Sequence, residues 1–315
     1  MKHIFVLLLA VLAFTACEKK PAEQTNTESP ETSQPADTVS TPSLSRIDQY
    51  ANFQSQYVPA RTIRVYVPAN YDSSARYDVL YMHDGTMLFD ASITWNKQEW
   101  GVDEAMDSLI ALGYVRPTIV VGIDNRKDME RVAEYCPDDV QQLLPEGKQL
   151  YDGRGTPKGN DYLRFLVEEV KPFIDSVYST YPEREHTWVM GSSCGGLISS
   201  YALCKYPNVF AGAACMSTHS TLAADVTHPD EDAITAYRTY LQQNIPVNSA
   251  LLYFDRGDKT LDANYADSQD AINAMLTNSG WDSAHFEYHF FPGHAHEEKY
   301  WRARLDIPLR FLLKR

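Results

Sequence analysis

Six residues, Gly191-Ser192-Ser193-Cys194-Gly195-Gly196, set two hydroxyls and a thiol on a glycine-rich turn between an apolar run, "HTWVMG", and a helix-compatible one, "GLISSYALCKY". The pattern G-x-S-x-G centred on Ser193, placed between a strand and a helix, has the form of a nucleophile elbow. The requirement is steric. A serine on so tight a turn is strained, and only small residues two before and two after it let strand and helix approach. Centring the pattern on Ser192 puts Met190 where the turn has no room, and a Cys194 nucleophile would be flanked by Ser192 and Gly196. A glycine-rich turn without chemistry is the bland alternative.

A serine hydroxyl is a weak nucleophile until a base takes its proton. Among nine histidines, His294 and His296 in "FPGHAHEEKYW" follow the last expected strand and precede the last helix, where the order Ser, acid, His puts the base. Spacing alone does not choose between them, and an H-x-H metal site would lack a clear third ligand. The base needs a carboxylate to fix its tautomer. "YFDRGDKTLDANY" offers Asp255 at the strand end and Asp258 and Asp262 in the loop after it. The tetrahedral oxyanion needs backbone N–H donors. One is the amide of Cys194, after the nucleophile; the other comes from the turn Asp84-Gly85-Thr86, with the Thr86 amide the first choice and Met87 the next.

Positioning these groups requires strands that end in loops. "TIRVYVPANY", "YDVLYMHDG", "PTIVVGID", "HTWVMG", "FAGAACMS", "ALLYFDRG" and "HFEYHFFPG" read as strands. Between them "GVDEAMDSLIALG", "DYLRFLVEEVKPFIDSVYSTY" with a kink at Pro172, "GLISSYALCKY" and "YADSQDAINAMLTNSG" read as helices, and "EEKYWRARLDIPLRFLL" closes the chain as one more. Strands alternating with helices, several strands apolar throughout, predict an α/β fold with a mostly parallel, doubly wound sheet and helices on both faces. In such sheets reactive groups gather beyond the carboxyl ends of the strands. Residues 218–248 are expected to form a helical cover over the site, with "YRTYLQQN" supplying aromatic contacts.

With 42 acidic against 28 basic residues and a net charge of −14, the chain lacks the clustered cations of a nucleic-acid binder. "MKHIFVLLLAVLAFTAC" has a basic start and an apolar run about half the ~20 residues of a membrane-spanning helix, which reads as an export signal. Residues 17–46, rich in Pro, Ser, Thr and Glu, read as a tether, and 47–315 as the folded domain. A cysteine after a small residue at the end of such a signal resembles a bacterial lipoprotein; this implies cleavage after residue 16, lipidation of Cys17 and membrane anchoring in the cell envelope. Cys136, Cys194, Cys204 and Cys215 read as small buried side chains.

From residue 57 to the carboxyl terminus the blocks in order resemble the esterase branch of the α/β-hydrolases, which includes enterochelin-esterase-like proteins, esterase D relatives and feruloyl and acetyl xylan esterases. "YDVLYMHDGTMLFD" is similar to its early strand and oxyanion loop, "PTIVVGIDNRKDMERVAEYCP" to a middle segment, and "GSSCGGLISSYALCKYPNVFAGAACMS" to its elbow. The resemblance implies Ser193 as nucleophile. "TLDA" makes Asp262 the better match for the acid, and the P-G-x-x-H-x-E-x-x-W pattern of "FPGHAHEEKYWRARL" selects His296, with Glu298 and Trp301 behind it. It further implies a serine ester hydrolase without metal or organic cofactor, acting on a small-molecule or glycan ester of carbohydrate, aromatic-acid or siderophore type. The same groups would serve an acyltransferase, and a non-catalytic glycan- or siderophore-binding surface protein is the reading from another class.

Overall fold

The computed structural model describes residues 43–126, 129–153 and 156–314. The expected signal, Cys17 and nearly all of the tether lie outside the described residues. Eight strands form one sheet: β1 (Arg46–Phe53), β2 (Arg61–Val67), β3 (Asp78–His83), β4 (Thr118–Ile123), β5 (Thr187–Ser192), β6 (Gly212–Met216), β7 (Leu251–Arg256) and β8 (Phe286–Phe290). Their order is β1-β2-β4-β3-β5-β6-β7-β8. β1 and β2 pair antiparallel, as do β2 and β4, and every other pairing is parallel.

The parallel strands are apolar throughout because both faces are covered. Val79, Tyr81, Val189, Ala213, Cys215, Leu252 and Phe254 enter one core. Their neighbours Leu80, Met82, Trp188, Met190, Ala214, Met216 and Tyr253 enter another. That alternation is the period of two along a strand, read here as two apolar layers rather than one. The second core is closed by Val102, Met106 and Leu109 of helix α1 (Val102–Ala111) and by the carboxyl-terminal residues Leu305, Leu309 and Leu312.

The other helices are α2 (Met129–Tyr135), α3 (Asp138–Gln141), α4 (Gly159–Arg164), α5 (Lys171–Val177), α6 (Cys194–Lys205), α7 (Glu231–Asn244), α8 (Ala266–Asn278), α9 (Glu298–Arg302) and α10 (Asp306–Leu312). The expected kink at Pro172 is a π-helical turn, Phe165–Val170, joining α4 to α5. Proline has no N–H to give the carbonyl four residues back, and widening the preceding turn absorbs that loss. Pro308 has a related effect. It sits in the first turn of α10, where a missing N–H costs nothing, so the expected closing helix is two short ones.

β1 is an element the sequence reading missed. Its "RIDQYANF" is largely exposed and lies on the sheet edge, so no apolar alternation announces it. The expected cover over the site is also corrected. α7 does occupy residues 231–244, but Tyr237 and Tyr240 are buried in the first core, and the Tyr237 hydroxyl meets that of Ser200 on α6 at 2.6 Å. Its apolar face is taken by the body of the domain, so it has none left to turn toward the site. No helix among the described residues is long and apolar enough to cross a membrane.

Candidate active site

Ser193 occupies the one residue between β5 and α6, with φ 60° and ψ −126°. This is a backbone conformation that L-residues avoid, held because β5 must reverse directly into the helix. A Cβ on Gly191 would stand 2.7 Å from the Gly195 carbonyl carbon, so the strand passes the first helical turn at a distance only glycine allows. Ser192, the buried last residue of β5, also borders the cavity but has ordinary strand backbone, and the Cys194 thiol points to the Tyr151 hydroxyl at 3.8 Å, within the core.

His296 follows β8 and stands beside the loop after β7. Its Nδ1 lies 2.6 Å from Asp262 Oδ1. The other oxygen, Oδ2, accepts the Ser217 hydroxyl at 2.7 Å and the Gly257 amide at 2.6 Å. Burial pushes the Asp262 carboxyl up, but the His296 hydrogen bond and charge, with Ser217 and Gly257, more than reverse that and leave it below its usual value. The aspartate stays ionised. It therefore fixes Nδ1 of His296 as the protonated nitrogen and leaves Nε2 as an acceptor.

The rival residues have other partners. Asp255 is sealed at the end of β7 against Arg304, with Arg304 Nη2 2.9 Å from Oδ1 and Nε 3.1 Å from Oδ2. Asp258 accepts the Gly293 amide at 2.8 Å and pairs with Lys259 at 3.1 Å on the surface, pinning the turn that leads to the histidines. His294 faces the Arg304 guanidinium, its Nδ1 3.2 Å from Nη1. Partial burial and that neighbouring cation hold its pKa below the usual histidine value.

The expected donors, the backbone amides of Thr86 and Cys194, have no intramolecular acceptor among the described residues, and neither have those of Gly85 and Gly195 beside them. The Met87 amide is taken by the Asp84 carbonyl at 2.8 Å. Asp84 opens this turn in the left-handed region, φ 59°, which aspartate tolerates. The turn lies against β4 so closely that a Cβ on Gly85 would come within 2.7 Å of the Gly122 carbonyl carbon. Arg131 clamps the Asp84 carboxylate through two hydrogen bonds of 2.6 and 2.8 Å, and Asn125 adds a third at 2.5 Å.

Ser193, His296 and the Asp84–Met87 turn line one cavity of about 770 Å³ at the carboxyl ends of the strands. No hydrogen bond joins Ser193 to His296 in this state. Trp95, Trp100 and Trp301 give the cavity aromatic walls, and Glu298 reaches it with Asn96 Nδ2 bound to its Oε2 at 2.7 Å. Trp95, 83% exposed, stands at the rim. None of residues 218–248 lines this cavity, so the aromatic contacts come from the loop after β3 and from α9 rather than from "YRTYLQQN".

Sequence reasoning missed Arg131, Asn125, Ser217 and Arg304. Ser217 had a signal, since it directly follows a strand, and Arg131 lies in a block that carries the family resemblance. Asn125 and Arg304 also lie in such blocks, but nothing local points to the Arg304 partners Ser217 and Asp255, which are distant in the chain.

The chain matches the family model described as "Putative esterase" over residues 58–312. It is 25% identical over 158 residues to the uncharacterized protein YjcH of Bacillus subtilis, covering 50% of this chain and 55% of that one. The chain thus spans about half the length of the curated relatives it matches. A mutant feruloyl esterase module from Clostridium thermocellum, complexed with sinapinate, superposes with a TM-score of 0.59 at 19% identity, over 85% of this chain and 88% of that one. Ferric enterobactin esterase from Salmonella typhimurium does so with a TM-score of 0.62 at 19% identity, over 86% of this chain and 58% of that one. With a mostly parallel eight-stranded sheet, and the family model covering the sheet from β2 to the last helix, the chain has the α/β-hydrolase fold and belongs to the "Putative esterase" family.

Proposed function

We propose that the protein is a serine carboxylic-ester hydrolase working through an acyl-enzyme. The observation that carries this is the conjunction of a strained Ser193 at the elbow with a His296–Asp262 pair, 2.6 Å apart, opening onto the same cavity. In this reading His296 Nε2 takes the Ser193 proton as Oγ attacks the ester carbonyl. The amides of Thr86 and Cys194 receive the oxyanion, and they need no rearrangement because no acceptor among the described residues occupies them. The imidazolium then protonates the leaving alcohol, and water repeats the sequence on the acyl-serine. Asp262 keeps the imidazolium stabilised and correctly turned throughout.

The aromatic walls support an ester with a planar or ring-shaped group, as in carbohydrate, aromatic-acid and siderophore esters. The amino-terminal sequence supports an exported lipoprotein held to a membrane at Cys17. Hydrolysis of nitrophenyl acetate and butyrate, methyl ferulate, acetylated xylan and a catecholate siderophore tests the activity, each with and without an added alcohol. Free acid as the product in both arms is expected. Transfer to the alcohol would make the protein an acyltransferase, and no turnover of any ester would overturn the reading.

A further inference from the structure

Ser217 stands behind the Asp262 carboxylate, just past the end of β6, with a left-handed φ of 41°. Its hydroxyl has three polar neighbours: Asp262 Oδ2 at 2.7 Å, Trp301 Nε1 at 3.1 Å and Arg304 Nη2 at 2.8 Å. An indole N–H and a guanidinium only donate. They fill the acceptor positions of Ser217 Oγ, and its single proton has one destination left, the carboxylate. The direction of this hydrogen bond follows from the chemistry of the partners.

Arg304 is itself immobilised. Besides Ser217 it meets both oxygens of Asp255 and Nδ1 of His294. Asp255 also accepts the Tyr253 hydroxyl and the Ser217 amide, each at 3.0 Å. Arg304 is 1% exposed and Asp255 and Ser217 are fully buried. Two charges so deeply buried cost more to desolvate than apolar packing of the same volume would. What apolar residues could not supply is a fixed N–H aimed at Ser217.

We propose that Ser217, oriented by Trp301 and by the Arg304–Asp255 pair, is a positioning residue for ester hydrolysis: it holds Asp262 so that Oδ1 faces His296 Nδ1. The inference rests on the serine-hydrolase reading above. Without the Ser217 hydroxyl, Asp262 Oδ2 keeps only the Gly257 amide. The carboxylate can then turn, and its less dispersed charge binds the imidazolium proton more tightly. The other ionisable groups around the pair stay in place. Tyr265 lies edge-on to the His296 ring at 5.7 Å, His219 is bonded to Tyr265, Glu298 and Arg131 line the cavity, and Asp258 and His294 flank the turn.

The test uses Ser217→Ala and Ser217→Cys in the full chain, with active enzyme counted by fluorophosphonate titration. In Ser217→Ala, kcat per titrated site is expected to fall on the order of tenfold, the scale of one hydrogen bond to a charged group, with KM nearly unchanged. The acid limb of kcat/KM is expected to move up by about half a pH unit. Ser217→Cys, with a weaker donor, should fall between. A purely structural role would reduce the number of titratable sites and leave both quantities alone. Wild-type kcat per site with an unmoved limb in Ser217→Ala overturns the inference, and if that variant yields no titratable enzyme, Ser217→Cys decides by the same two readouts. Wild type that is neither labelled nor active would instead mean that the hydrolase reading itself had failed.

Discussion

Two aspartate–arginine pairs flank Ser193, His296 and Asp262, and they sit in different surroundings. Asp84–Arg131 lines the cavity, its side chains 11% and 22% exposed, and the aspartate opens the turn that carries the Thr86 amide. Asp255–Arg304 lies behind Asp262, its side chains 0% and 1% exposed, and does not line that cavity. The first pair can be reached from the cavity; the second is sealed from solvent. The same chemistry therefore ties one region to the shape of the cavity and the other to the orientation of the His296–Asp262 pair.

Changes that break the comparison should differ accordingly. The largest effect on rate is expected where the sealed side meets the chemistry: Asp262→Asn should lower kcat by about three to four orders of magnitude, because the amide favours the wrong imidazole tautomer. Asp258→Asn, earlier in the same loop but on the surface, should change kcat by less than roughly threefold. Steady-state kinetics on one nitrophenyl ester separates the two.

Arg304→Met should destabilise the fold by about 3–5 kcal/mol, since it strands the Asp255 charge where no water can reach it. Arg131→Met should cost only about 1–2 kcal/mol, since Asn125 and cavity water can still solvate Asp84. Its mark should fall on kcat, through a loosened Thr86 turn. Urea midpoints and kcat, measured on both variants, give the two contrasts; equal destabilisation would erase the distinction.

Acid should act on the stability of the protein through its buried imidazoles. Burial lowers His219 to about 4 and His83 to about 3 from an ordinary 6.5. The unfolded chain binds their protons first as pH falls, so stability is fully present above about pH 6.5 and declines progressively toward pH 4. Asp262, held below its ordinary value, contributes stability that is lost only at lower pH, as the medium passes through its folded-state pKa. His219→Gln should flatten the slope of urea midpoint against pH between 6.5 and 4, and an unchanged slope would contradict the assignment.

The parallel strands and the elbow were legible because their causes are local. An apolar run buried on both faces, and a serine between small residues on a strand-to-helix turn, follow from neighbours in the chain. So did the free Cys194 amide, which any residue at that place supplies. Asp255 was set apart by its place at the strand end, and the preference for Asp262 over Asp258 came only through family likeness; the Arg304 that engages Asp255 is nearly fifty residues away in the chain. The edge strand β1 was hidden by its polar composition, and the role expected of residues 218–248 failed because an amphipathic helix announces a buried face without saying what it faces.

The most direct test of the account is the reaction of Ser193 itself. A fluorophosphonate should add one mass increment to the wild-type protein, on the peptide containing Ser193, with loss of ester turnover in proportion; Ser193→Ala should take up no label and turn over no ester. Wild-type turnover of the same ester by Ser193→Ala, or a label on Ser192 or Cys194 in its place, would contradict it.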